Sequence, residues 1–246
     1  MGLLVEARRL SALGPEGLLF TSVSGTITDG DLAVITGPPQ LRRTALMLAL
    51  SGRFAISGGA LATEGEKNST RRAQAALRSR VCIAQAPPAL QIDARMRVGE
   101  VLAERRLVCG RKNMSADSFW DAFELMELEK PAKDEAVWEL EPLEKLLLSV
   151  ALCYAQHTDA IAVADIDAGL GTEDRHHVRR ALGQIVQAGR TVIATSADTG
   201  WGTAHIALEE PPPPPPNNPK REKDSTPVHD SRHPAQPPQA TDGDHL

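Results

Sequence analysis

The sequence predicts an α/β fold: a mostly parallel sheet with helices on both faces and an antiparallel β part at the front. Three observations predict it. Short, continuously apolar runs at Leu32–Thr36, Val81–Ala84, Ala160–Ala164 and Thr191–Thr195 read as buried strands. Helical patterns alternate with these runs, as parallel crossovers require. Residues 3–35 instead hold short β-prone pieces broken by turns, which suits antiparallel pairing.

At the front, Leu3–Ala7 alternates weakly and Gly14–Gly17 (GPEG) is a turn. Leu18–Val23 is apolar and β-prone, and Ser24–Thr28 is extended before the Asp29-Gly30-Asp31 turn. The central strand Leu32–Thr36 leads into a turn over Gly37–Arg43 and an apolar helix Thr44–Leu50, closed by Gly52. A short strand, Ala60–Thr63, follows a Gly-Gly pair. Arg71–Arg80 reads as a basic helix with a solvated face, and Val81–Ala84 as a strand closed by Gln85 and Pro87-Pro88. From Val98 to about Leu140, apolar residues such as Phe119, Phe123 and Met126 recur at helical spacing and predict a core-facing stripe. Leu143–Gln156 is a strongly apolar helix, Glu173–Ala188 an amphipathic one, and His205–Leu208 a last short strand.

The 246 residues suit one domain over 1–208 with a helical insertion at about 86–145. Residues 209–246 open with the run Pro211–Pro216 and hold too little apolar surface to fold, so a disordered proline-rich tail is expected. Aromatic residues make up 3%, so the core must be built from Leu, Val, Ile and Ala. A net charge of −5 gives no global basic field, and no nucleic-acid partner is expected. Cys82, Cys109 and Cys153 lie far apart without metal-ligand spacing and read as reduced core residues. The opening MGLLVEARRL lacks a basic lead and a cleavage site. The longest apolar run, Leu146–Ala155, falls short of the roughly 20 residues that cross a bilayer. A cytoplasmic protein is expected, peripheral at the inner face of the membrane through a partner.

The stretch Ala33–Gly52, AVITGPPQLRRTALMLALSG, has the layout of a phosphate-binding loop: strand, glycine-opened turn, helix. There the N–H groups and the positive end of the helix dipole hold an anion. The usual pattern G-x-x-x-x-G-K-[ST] is met at its ends, by Gly37 and Thr44. Arg42 stands where the second glycine belongs and Arg43 where the lysine belongs. Taken alone, the stretch is also a plain strand–turn–helix.

In the order of its elements, the chain resembles the ATP-binding subunit of ABC transporters across roughly residues 3–208. The phrases GDLAVITGPP and SGGALATEG resemble the strand into that family's phosphate loop and the strand after its first helix. Gln85 falls at the Q-loop glutamine, DIDAGL resembles the segment from the Walker B strand into the D-loop, and GRTVIATSAD the switch strand. The resemblance implies the three-layer P-loop NTPase fold, ATP and Mg²⁺ as cofactors, and a membrane-spanning permease-like partner. It also implies a homo- or heterodimer with another nucleotide-binding subunit. Nucleotide contacts would fall on Gly37, Pro38, Pro39, Gln40, Arg42, Arg43, Thr44, Ala45 and Gln85. Thr44, Gln85 and Asp165 would attend Mg²⁺, and Asp165 would be the general base on the attacking water.

The chain departs from that family at several of its chemical positions. Two further loop glycines are replaced by Gln40 and Arg42, where glycine lets the backbone approach phosphate. Arg43 keeps the lysine's charge but spreads it over a planar fork. Ala164 stands at the Walker B aspartate and Asp165 at the glutamate, and a one-residue slip would give Asp165 the metal role instead. The signature motif falls on Leu140–Glu144, where Glu141 and Glu144 satisfy the helix dipole that would attract phosphate. Ala197 occupies the switch-histidine position; His176 and His177 read as a solvated face. Phe20 is a candidate for adenine stacking, with a core role the simpler account. Two readings follow: an ATP-binding subunit with weakened or absent hydrolysis, or a nucleotide-independent pseudo-ATPase acting as a regulatory or protein-binding module.

Overall fold

The computed structural model describes residues 5–37, 40–66 and 68–209. Pro38 and Pro39, and the tail expected from residue 210 onward, lie outside the described residues. The chain opens with β1 (Val5–Gly14) and β2 (Gly17–Ile27), an antiparallel hairpin in which Val5 faces Ile27 and Gly14 faces Gly17. β4 (Gly58–Thr63) pairs antiparallel with the other edge of β1, giving the order β2-β1-β4.

The second sheet is parallel throughout. Its strands are β3 (Leu32–Thr36), β5 (Val81–Gln85), β6 (Ala160–Val163), β7 (Thr191–Thr195) and β8 (Ala204–Ala207), in the order β5-β6-β7-β3-β8. Helices α1 (Gln40–Leu50), α2 (Thr70–Arg80), α3 (Val98–Cys109), α4 (Ala116–Leu125), α5 (Pro142–Tyr154) and α6 (Thr172–Gln187) complete the fold. Successive strand residues point to opposite faces. Leu32, Cys82, Ile161, Val163, Val192 and Ala194 therefore join one core with α3 to α6. Ala33, Ile35, Ile83, Ala162 and Ile193 join the other, with α1 and the antiparallel sheet. The strands read as fully apolar because both faces are covered.

Two differences from the sequence reading bear on the site. α1 begins at Gln40 rather than Thr44, which brings Gln40, Arg42 and Arg43 onto its first turns. No glycine interrupts the run Gln40-Leu41-Arg42-Arg43, and these residues are good helix formers. The long helical region from Val98 breaks after Cys109, where Gly110 takes φ 83° and Ser115 then caps α4 by accepting the Ser118 N–H. Beyond α4 the region contains only a 3₁₀ turn, Val137–Glu139, before α5. Among the described residues no helix is long and apolar enough to cross a membrane.

Candidate functional site

The start of α1 meets the carboxyl ends of β5 and β6 at a cavity of about 460 Å³. Gln40, Gln85 and Asp165 line it, with Trp138, Lys145 and Ser149 from the 3₁₀ turn and α5 on the opposite wall. In open α/β sheets, ligands bind at this end of the parallel strands.

Asp165 is the centre of the polar contacts. Its backbone takes φ 52°, a left-handed conformation that aspartate tolerates better than most residues. Its N–H donates to Thr195 Oγ1 at 2.8 Å, tying the end of β6 to β7. Gln40 Nε2 donates to Asp165 Oδ2 at 2.6 Å. Arg43 Nη2 lies 3.6 Å from Oδ1, and both side chains are almost fully buried, at 9% and 3% exposed. Burial raises the Asp165 pKa above the ordinary carboxylate value, against the opposing pull of the Gln40 hydrogen bond and the Arg43 charge. A carboxyl of raised basicity suits general-base chemistry. Here, however, Gln40 holds one oxygen, and Arg43 and Thr195 hold the other.

The loop's glycine has a structural task of its own. Gly37 takes φ 112°, and a Cβ there would stand 2.4 Å from the Leu208 carbonyl oxygen. The Leu208 N–H donates to Thr36 O, so the chain after β8 packs directly on the turn. The Gly37 carbonyl accepts from Arg43 Nη1 at 2.6 Å. Arg43 therefore bridges both sides of the loop.

In the first turns of α1, behind the residues that line the cavity, two buried polar atoms lack a hydrogen-bond partner among the described residues: Arg43 Nε and Thr44 Oγ1. Leaving such a group unpaired costs about 1–3 kcal/mol, which a polar ligand would relieve. Arg42 is half-buried and forms no ion pair among the described residues. The Ala45 side chain packs in the core, so only its backbone is open to a ligand. Gln85 donates through Nε2 to the Ala164 carbonyl at 2.8 Å, and Ala164 N–H returns a bond to Gln85 O.

At the start of α5 the Glu144 carboxylate accepts the Glu141 N–H at 2.7 Å, so the helix start is capped from within the chain. Phe20 is 2% exposed in the core beneath β1 and β2. His176 is exposed, whereas His177 Nε2 sits 2.9 Å from the Met126 carbonyl and belongs to the packing of α6 on α4. Sequence reasoning gave Asp167 no role. Its carboxylate accepts from Ser196 Oγ, the Ala197 N–H and the Asp198 N–H, fixing the loop after β7. Its only signal was the second acid of Asp165-Ile166-Asp167. Trp138, Lys145 and Ser149 were also missed, because nothing local marks them as facing Asp165.

No family model matches the sequence, and no curated protein matches it either. Solved structures do. CbiO1 from Clostridium perfringens, part of the ABC transporter complex CbiONQ, is similar with a TM-score of 0.63 at 17% identity, over 80% of each chain. The ADP conformation of MJ1267, an ATP-binding cassette of an ABC transporter, is similar with a TM-score of 0.64 at 14% identity. That match covers 84% of this chain and 90% of the other. The chain has the ATP-binding-cassette fold. A dimeric bacterial ABC transporter cassette, MJ0796, shares it with a TM-score of 0.62 at 14% identity, over 79% and 88% of the two chains. Gly37 ends the stretch after β3, and Asp165, just beyond β6, accepts a hydrogen bond from Gln40 at the start of α1.

Proposed function

We propose that this chain is the ATP-binding subunit of an ABC-transporter-like complex, with weakened or absent ATP hydrolysis. The observation that carries this is the orphaned pair in the first turns of α1, Thr44 Oγ1 and Arg43 Nε, which are buried with no partner among the described residues. Both are donors, and a phosphate oxygen is an acceptor that satisfies them. Gly37, Gln40, Arg42, Arg43, Thr44, the Ala45 backbone and Gln85 would form the nucleotide's surroundings, with Pro38 and Pro39 completing the loop.

Weak turnover is supported by the engagement of Asp165. A base that must take a proton from water needs a free oxygen, and Gln40 and Arg43 occupy this carboxylate. Among the described residues no group of three or more His, Cys, Asp or Glu could hold a metal. Mg²⁺ keeps water and substrate phosphates as most of its ligands, so the Thr44 hydroxyl fits as a protein ligand alongside them, with Gln85 and Asp165 nearby. Bound there, the ion would neutralise phosphate charge. The cassette neighbours that are dimeric or part of a transporter complex support a second nucleotide-binding subunit and a permease-like membrane partner, with the chain peripheral at the inner face of the membrane.

Titration with a fluorescent ATP analogue and Mg²⁺ tests the reading. Saturable binding, weakened by Thr44→Ala, is expected; no binding up to millimolar nucleotide removes it.

One observation favours the second reading, a pseudo-ATPase that works as a regulatory or protein-binding module. Gln40 and Arg43 engage the Asp165 carboxylate, and Arg43 Nη1 the Gly37 carbonyl, without any ligand. Thermal stability unchanged by MgATP would select this reading.

A further inference from the structure

We propose that the Asp165 carboxylate stands in for a ligand phosphate at the start of α1, and that an incoming phosphate exchanges with it on Gln40 and Arg43. The inference deepens the nucleotide reading and rests on it for the choice of phosphate. It makes Asp165 an internal competitor of the ligand.

α1 is the helix whose own sequence leaves its start without an acid or a cap. The first turn of a helix has N–H groups without intrahelical acceptors and carries the positive end of the dipole. α3 to α6 each bring an acid of their own to that turn: Glu100, Asp117, Glu144, and Glu173 with Asp174. α2 brings none, but Ser69 caps it by accepting the Arg72 N–H. α1 has no acid in its first turn and carries Arg42 and Arg43 there instead. The acid that meets it, Asp165, comes from 125 residues beyond Gln40.

Gln40 and Arg43 stand at i and i+3, on one face of α1. Each meets a different oxygen of the same carboxylate. Gln40 Nε2 donates to Asp165 Oδ2 at 2.6 Å, and Arg43 Nη2 lies 3.6 Å from Oδ1. A phosphate offers the same donors what Asp165 offers them, anionic oxygens to an amide and to a planar guanidinium. Asp165 reaches this place from a left-handed backbone, φ 52°, just beyond β6. A non-glycine residue persists in that conformation only where its surroundings hold it.

The surroundings favour exchange. Burial raises the Asp165 pKa, and the charge of Asp167 adds to this, so the ionised carboxylate is penalised where it sits; Gln40, Arg43 and Thr195 pull the other way. Thr195 Oγ1, 3.4 Å from Oδ1, remains as a partner for a carboxylate that has left α1. The cavity of about 460 Å³ beside the contact gives an anion room, and Asp165 is the one carboxylate among the described residues that line it. Lys145 lines the same cavity from α5, where its Nζ donates to the Trp138 carbonyl at 3.2 Å and pairs with no carboxylate among the described residues. Removing the Asp165 charge would leave Arg43 buried without its counter-charge, and a bound phosphate would restore one.

The test is calorimetric titration of the full-length protein with metal-free tripolyphosphate, as wild type, Asp165→Ala and Asp165→Asn. Both variants are expected to bind about tenfold more tightly than wild type. Asp165→Asn keeps the side-chain shape and keeps the test valid if Asp165→Ala fails to fold. Adding Gln40→Ala to either variant should take back part of the gain, since the exposed Gln40 side chain serves both occupants. The gain should persist at high ionic strength, where long-range charge is screened and a buried contact is not. Affinity equal to or below wild type in both variants overturns the proposal, as does a gain that salt abolishes, or no saturable binding by any of the three proteins at millimolar concentration. Tripolyphosphate binding that gains from the variants while MgATP fails to bind would remove the nucleotide and leave the exchange. MgATP binding by wild type with no gain in either variant would do the reverse.

Discussion

Arg43 Nη2 stands 3.6 Å from Asp165 Oδ1, in a contact from which water is nearly excluded. The contact joins the first turns of α1 to the residue just beyond the end of β6. A buried pair of this kind gains little overall, but removing one partner strands the other charge. Arg43→Met should destabilise the protein by about 3 kcal/mol, and Asp165→Asn by less, because burial already penalises the Asp165 charge. The double variant should lose less than the sum. Urea unfolding of all four proteins measures the coupling, and strict additivity would show that the two side chains do not interact.

The raised pKa of Asp165 fixes the sign of a pH effect. The folded state holds the Asp165 proton more tightly than the unfolded chain, whose aspartate titrates near 3.8. The group's contribution to stability is therefore fully present below that value and is lost as pH rises through the folded pKa. The stability of wild type relative to Asp165→Asn should fall across this window above 3.8 and then level off. A difference that grows with pH there would contradict the burial of this carboxyl.

Gly37→Ala should destabilise the protein whether or not nucleotide is present. The left-handed φ costs about 1–2 kcal/mol, and the new methyl meets the Leu208 carbonyl. A lower Tm in nucleotide-free protein is expected. Loss of nucleotide affinity with unchanged Tm would mean that Gly37 serves only a ligand.

Much of the fold was legible because apolar runs are local signals. Leu32–Thr36 and Thr191–Thr195 are strands with the bounds their sequence predicts. The start of α1 was not legible, since the loop pattern placed the helix at Thr44 while propensity carried it back to Gln40. The site was legible as a set of candidates, not as a network. Gln40 and Asp165 are 125 residues apart in sequence, and no periodicity reveals that one donates to the other. The hydrogen bond from Arg53 to the Arg78 carbonyl was hidden for a further reason. Arg78 reads as part of a basic solvated helix until the end of α1 is packed against it.

The account's central claim is that Thr44 Oγ1 is left unpaired for a ligand's sake, and Thr44→Val tests it most directly. Valine matches threonine in shape and removes the orphaned hydroxyl, so nucleotide-free protein should be about 1 kcal/mol more stable. Calorimetric titration of wild type with MgATP should show saturable binding with little phosphate release, and the same titration of Thr44→Val should show affinity reduced about tenfold or more. MgATP binding that is equal in both proteins, or absent from wild type at millimolar concentration, would contradict the account.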